Sequence, residues 1–238
     1  MARWEPDSRG RLEQAALALY GERGFENTTV AEIAARAGLT ERTFFRYFAD
    51  KREVLFSGAG ILQEVLVSAA VSAPDSAAPI DAVAAALEAA GALLQERRAF
   101  ARQRQAVIAA STELRERELI KLAALAAALA EALRRRGATD PAASLTAEAG
   151  IAVFKVAFER WVNESNQEDL PQLIRESMDE LKAVTAGRRS PALLCRSRSR
   201  GAGGRAGHAA RRPRGRRPDR GTAASRRSSS TPVADRAD

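Results

Sequence analysis

The chain has 238 residues, of which 45% are hydrophobic, largely Ala and Leu, and only 5% aromatic, a balance that argues against a strand-rich fold and for an all-α protein. One cysteine, Cys195, excludes an internal disulfide framework, and one histidine, His208, near the C-terminus leaves the body of the chain without a Ser–His or Cys–His pair or a zinc ligand set, so neither an enzyme nor a cofactor is expected. No run of apolar residues is long enough for a membrane span and the N-terminus M-A-R-W-E-P-D-S has no apolar core, so a cytoplasmic protein with no membrane partner is expected despite the formal charge of +8.

Ser8 to Gly24 reads as the first helix. Leu12, Ala15, Ala16, Leu19 and Tyr20 recur on one face, and Gly24 stops it. Phe25 then stands ready to pack beneath the following elements. Residues 28–55, T-T-V-A-E-I-A-A-R-A-G-L-T-E-R-T-F-F-R-Y-F-A-D-K-R-E-V-L, predict two short helices meeting at a tight turn. Val30, Ile33, Ala34 and Ala37 form the narrow buried stripe of the first. Gly38 supplies the positive φ of the turn, Leu39 plugs the corner, and Thr40 can cap the second helix with its hydroxyl. Phe44 and Phe48, four apart, anchor that helix inward, while Glu41, Arg42, Thr43, Arg46 and Tyr47 occupy its other face. Such a pair can be a helix-turn-helix that sets its second helix in the DNA major groove. Helical pairs with a glycine turn also occur where no DNA is bound, and spacing alone leaves that alternative open.

Asp50 is placed to cap a long helix over 51–72, and the prolines of A-P-D-S-A-A-P at 73–79 make a loop. Further helices are expected over 80–95, 97–110, 112–136, 141–165 and 169–186, with Gly137, Asp140-Pro141 and the stretch 166–171 as boundaries. The 141–165 helix is apolar nearly all round through Leu145, Ile151, Phe154, Val156, Phe158 and Trp161, as a helix buried on more than one side in a dimer bundle would be. The last helix carries one stripe, Leu173, Ile174, Met178 and Leu181, that would complete such a bundle. Residues 188–238 hold 15 Arg against three Asp and few large apolar side chains, which predicts a disordered basic tail. Without it the chain is net acidic, so its basic balance says nothing about the helix pair.

Residues 8–55 resemble the N-terminal domain of TetR/AcrR-type repressors. The blocks A-A-L-A-L-Y-G-E-R-G-F at 15–25, T-T-V-A-E-I-A, A-G-L-T, T-F-F-R-Y-F and K-R-E-V-L stand in the family's order. The resemblance implies a homodimeric transcription regulator on a palindromic double-stranded operator. It places Thr28 and Thr29 on a phosphate at a helix start, Thr40 at the start of the recognition helix, and Arg42 and Thr43 on base edges. Tyr47 and Lys51 would hold the DNA backbone, and Arg46 could take either role. Phe45 stands where tyrosine is commoner, so the hydroxyl contact expected there is lost.

A second resemblance covers R-R-A-F-A-R-Q-R-Q-A-V-I-A-A-S-T-E-L-R-E-R-E-L at 97–119, the helix ending R-R-R-G, and F-K-V-A-F-E-R-W at 154–161. These are similar to the acyl-CoA-like ligand-binding C-terminal domain of some TetR-type regulators, including the MftR type. The implied organisation is a helix-turn-helix domain at 1–55, a helical ligand-binding and dimerisation bundle at 56–187, and the tail at 188–238. Phe100, Phe154, Phe158 and Trp161 would line an apolar pocket, with Arg102 and Arg104 beside Arg97 and Arg98 toward effector phosphates. The plainer reading makes these arginines solvated partners of Glu96, Glu113 and Glu116 and the aromatics ordinary core. An effector, small and apolar or acyl-CoA-like, would shift the 51–72 helix and release the operator. The competing function is nonspecific nucleic-acid binding through the Arg-rich tail.

Overall fold

Among the residues that the computed structural model describes, 7–163 and 165–187, the chain forms nine α-helices and no strand. The tail at 188–238, with Cys195 and His208, lies outside the described residues.

The first helix, α1 (Ser8–Arg23), buries Leu12, Ala16, Leu19 and Tyr20 and stops at Gly24, whose φ is 84°. A reciprocal cap opens α2 (Val30–Arg36): the Thr29 hydroxyl accepts from the Glu32 N–H at 3.2 Å, and the Glu32 carboxylate accepts from the Thr29 N–H at 2.9 Å. Gly38, at φ 66°, turns the chain into α3 (Glu41–Tyr47), which Thr40 caps through the Thr43 N–H at 3.2 Å. The Arg11 guanidinium donates to the Ala37 carbonyl, and a Cβ at Gly38 would lie 2.8 Å from its Nη2. The positive φ is what reserves the turn for glycine, since the Arg11 side chain could shift aside for a Cβ.

The single helix expected over 51–72 is two pieces. A 3-10 turn, Glu53–Phe56, is held by Asp50, whose Oδ1 accepts from the N–H groups of Arg52 and Glu53 at 2.8 and 3.1 Å. Only at Ala59 does α4 (Ala59–Ser72) begin. Gly58 and Gly60 flank that start, and each weakens a helix by about 1 kcal/mol relative to alanine. The turn instead lets three consecutive residues, Val54, Leu55 and Phe56, all be buried.

The remaining helices are α5 (Pro79–Gln95), α6 (Arg98–Ala110), α7 (Thr112–Arg135), α8 (Asp140–Val162) and α9 (Leu170–Thr185). They form a bundle in which α4 packs on α5 and α7, α8 on α5, α7 and α9, and α6 reaches back to α1. Where α5 meets α8, a Cβ at Gly150 would overlap the Val83 Cγ1 methyl, so glycine sets the approach of the helices. One core lies inside this bundle, around Leu87, Leu129, Leu133, Trp161, Leu173 and Ile174. A second joins α1–α3 and the 3-10 turn, and is closed by Val107 and Ile108 of α6 and Leu114 of α7.

The stripe of α9 expected to complete a dimer is spent inside the chain: Leu173 and Ile174 are fully buried and Met178 nearly so, on a helix packed against α5 and α8. An outward apolar stripe lies on α8, where Leu145 and Val156 are 71% and 52% exposed, and α7 and α9 also expose Leu119, Ile120 and Val184. By length and composition the stretches Glu53–Ser72 and Asp140–Val162 could cross a membrane, with mean hydropathies of 1.8 and 1.2, but each contributes its inner face to these cores.

Candidate functional site

Helix α3 is fixed from within by Phe44 and Phe48, whose ring centroids lie 5.4 Å apart. Outward it presents Glu41, Arg42, Phe45, Arg46 and Tyr47, all exposed. Arg42 has no hydrogen bond or ion pair among the described residues. Thr43 is half-buried, its hydroxyl 3.1 Å from that of Thr40. Arg46 donates to the Tyr47 hydroxyl at 3.0 Å with its guanidinium 4.8 Å from the ring centroid, so the two form one unit at the end of the helix.

The residues expected at the start of α2 are placed differently. Thr28 is 1% exposed and its hydroxyl donates to the Gly24 carbonyl at 2.9 Å, so its side chain cannot meet a phosphate as expected. Thr29 is exposed, but its N–H and hydroxyl are both taken by Glu32, at 2.9 Å each. Those same bonds, the backbone one foremost, hold the Glu32 carboxyl below its ordinary range, so a negative charge already sits at this helix start. Lys51 donates to the carbonyls of Phe25 and Thr28 at 2.9 and 3.0 Å and lies 4.3 Å from the Phe25 ring centroid. Its charge is spent on the connection between α1 and α2. Buried Tyr20 donates to the Lys51 carbonyl at 2.6 Å, and burial, with the charge of Asp50, keeps its phenol above the ordinary range.

A cavity of about 190 Å³ opens where the 3-10 turn and α4 face α6, α7 and α8. Phe100, Phe154 and Phe158 line it with Leu55, Phe56, Leu62 and Leu122, and Arg104 belongs to its wall. Two expected residues do not. Trp161 is fully buried in the bundle core, 5.5 Å behind the Phe158 ring, and Arg102 donates away to the Val162 carbonyl at 3.0 Å. Arg98 likewise binds the carbonyls of Trp161 and Asn166 at 3.0 and 2.7 Å, closing the end of α8. Arg97, Lys121 and Lys155 also line the cavity; Arg97 pairs loosely with Glu13 at 3.4 Å, and Lys155 has no ion pair among the described residues.

The cavity walls grip the 3-10 turn. Arg104 donates from Nε to the Leu55 carbonyl at 2.7 Å and from Nη1 to Glu118 at 3.2 Å, with its guanidinium 4.9 Å from the Phe56 ring centroid. Burial works against its charge, and Glu118 counters that. Glu53 accepts from Arg117 at 2.6 Å and from Lys121 at 2.9 Å, while Arg52 donates to Glu113 at 3.0 Å. At the α6–α7 corner, Ser111 reaches Glu26 at 3.3 Å. The segment that ends the helix-turn-helix core is thus held by side chains from the cavity's own walls.

Comparison with known proteins fits this arrangement. Residues 13–57 match the family described as bacterial regulatory proteins, tetR family, and residues 77–186 match the MftR C-terminal domain. The HTH-type transcriptional regulator TcmR of Streptomyces glaucescens is 35% identical over 82 residues, which is 34% of this chain. The chain spans only about a third of that regulator's length, 36%. Among solved structures, SmeT of Stenotrophomonas maltophilia, in complex with triclosan, aligns at 21% identity over 74% of this chain and 90% of its own, with a TM-score of 0.55. FadR of Bacillus subtilis in complex with stearoyl-CoA aligns at 18% identity over 71% of this chain and 95% of its own, with a TM-score of 0.52. Both likenesses concern the fold.

Proposed function

The chain belongs to the TetR family of bacterial regulatory proteins, and from that premise we propose that it is a ligand-responsive, sequence-specific repressor acting as a homodimer on a palindromic operator. Residues 1–55 are its DNA-binding module and 56–187 its effector-binding and dimerisation module. Arg42 and Thr43 read bases, while Thr40, Arg46 and Tyr47 meet the backbone. The exposed stripe of α8 pairs with a second copy, since one recognition helix covers only a few base pairs. This role puts the protein in the cytoplasm with the DNA.

One observation carries the proposal: the 3-10 turn that closes the DNA-binding core is also a wall of the cavity. At about 190 Å³ the cavity is below the roughly 300–1,000 Å³ of pockets for drug-sized ligands. An effector of that size or larger has to part the walls, and one wall is the hinge. Displacing Leu55 and Phe56 shifts the recognition helices relative to the bundle, and half-sites on B-DNA tolerate little change in their separation. The effector drives release only to the extent that it prefers the parted state. SmeT and FadR bind molecules as different as triclosan and stearoyl-CoA, so the fold does not choose a ligand. The walls are largely apolar, with Glu13, Glu118 and Glu159 among them. Arg97, Arg104 and Lys121 are ion-paired, and Lys155 has no ion pair among the described residues, which favours an apolar body with an anionic head that Lys155 can meet, such as an acyl-CoA.

The test is fluorescence anisotropy of the full chain on its own upstream DNA at physiological salt, with scrambled DNA as competitor, followed by titration with long-chain acyl-CoA and with CoA alone. Binding that resists the competitor and yields to acyl-CoA supports the proposal. Binding erased by any DNA would assign the interaction to the Arg-rich tail.

A further inference from the structure

Phe45 is 55% exposed, the most exposed aromatic ring among the described residues. It does not hang loose. Its ring stands edge-on to buried Phe44, with centroids 5.4 Å apart and planes at 82°, so the pair holds the ring outward from α3. Three and four residues before it, on the same helix face, stand Arg42 and Glu41. Arg42 is uncommitted, whereas Arg46 is turned onto Tyr47. The strip Glu41–Arg42–Phe45 is unsuited to the DNA backbone, because a carboxylate repels phosphate and a phenyl ring has nothing to donate to it. It is suited to the groove floor, where an arginine can span guanine O6 and N7 and the one apolar feature is the thymine C5 methyl.

Resting on the DNA-binding reading above, we propose that Phe45 is a specificity residue that packs on a thymine methyl beside the base pair contacted by Arg42. One methyl buried against the ring corresponds to about a fourfold change in affinity per half-site.

The experiment uses the full-length protein and the duplex it prefers, selected from random DNA. Each thymine is replaced in turn by deoxyuridine, which removes only the C5 methyl. Binding by the unaltered protein, Phe45→Ala, Phe45→Leu and Arg42→Ala is read by anisotropy. The expected result is one thymine per half-site where deoxyuridine weakens the unaltered protein about fourfold and Phe45→Ala hardly at all, while Arg42→Ala keeps the methyl effect. Phe45→Leu, still apolar, should retain part of it. Deoxyuridine effects that are the same for the unaltered protein and for Phe45→Ala at every position would overturn the proposal while leaving the regulator reading intact. Failure to select any preferred duplex would remove the DNA-binding reading and this inference with it.

Discussion

Glu53 offers a sharp test of how the hinge is held. Its carboxylate bridges two cations of α7, at 2.6 Å from Arg117 and 2.9 Å from Lys121, with side chains 21%, 34% and 26% exposed respectively. These are neither surface pairs, worth about 0–1 kcal/mol, nor deeply buried ones, whose breakage costs about 3–5 kcal/mol. Glu53→Gln keeps the shape and one acceptor but leaves both cations uncompensated, so a loss of about 2 kcal/mol is expected. For a body of this size that lowers Tm by about 4–8 °C at pH 7. Burial pushes the Glu53 carboxyl up, but hydrogen bonds from Lys121 and Arg117 outweigh it and hold it below its ordinary value. A group depressed in this way stabilises the fold fully above its unfolded pKa, and the stabilisation is lost as pH falls through the folded one. The gap between the parent and Glu53→Gln should therefore be full at pH 7 and close at an acid pH below the depressed pKa of the folded carboxyl. Calorimetry at both pH values, at one protein concentration because the protein is proposed to dimerise, measures it. A gap under about 1 °C at pH 7, or one that persists unchanged at the acid end, would refute the reasoning.

Other consequences can be measured as directly. Gly150→Ala should destabilise by about 1–3 kcal/mol through overlap with Val83, and Val83→Ala in the same chain should restore part of it; urea unfolding that shows additive losses would contradict the close approach of α5 and α8. Arg104→Lys keeps the charge but loses the fork that spans the Leu55 carbonyl and Glu118. Operator release should then need less effector, and an unchanged half-release concentration would argue against this route. Trp161→Phe, behind the cavity, should alter effector affinity less than about twofold, whereas Phe158→Ala, in its wall, should weaken it about tenfold, from the area lost. Isothermal titration calorimetry with the released effector separates the two.

Periodicity made the helices legible, because Ala- and Leu-rich faces repeat cleanly and glycines or prolines stop them. It failed at 54–60, where V-L-F-S-G-A-G reads as the continuation of an apolar helix. The two glycines were the available signal, outweighed by the run of apolar residues. Arg42 and Tyr47 could be placed outward because Phe44 and Phe48 fix the phase of α3, and the same phase sends Phe45 outward. Thr28 and Lys51 turn inward for a reason no spacing reveals: their acceptors are backbone carbonyls of the α1–α2 connection. Arg102 and Arg104 are two residues apart and so diverge by more than a half-turn of helix, which puts one on the end of α8 and the other in the cavity wall.

The closure of the first core by Val107, Ile108 and Leu114 also sets a schedule for synthesis. The contact between Glu26 and Ser111 joins residues 85 apart. At about 5–20 residues per second, the ribosome needs roughly 4–17 s to bring the missing corner out after the start of the helix-turn-helix has been made. During that interval the recognition helix belongs to a module with an open side. Until it ends, the apolar side chains of α1–α3 and the 3-10 turn lack the cover that Val107, Ile108 and Leu114 give them.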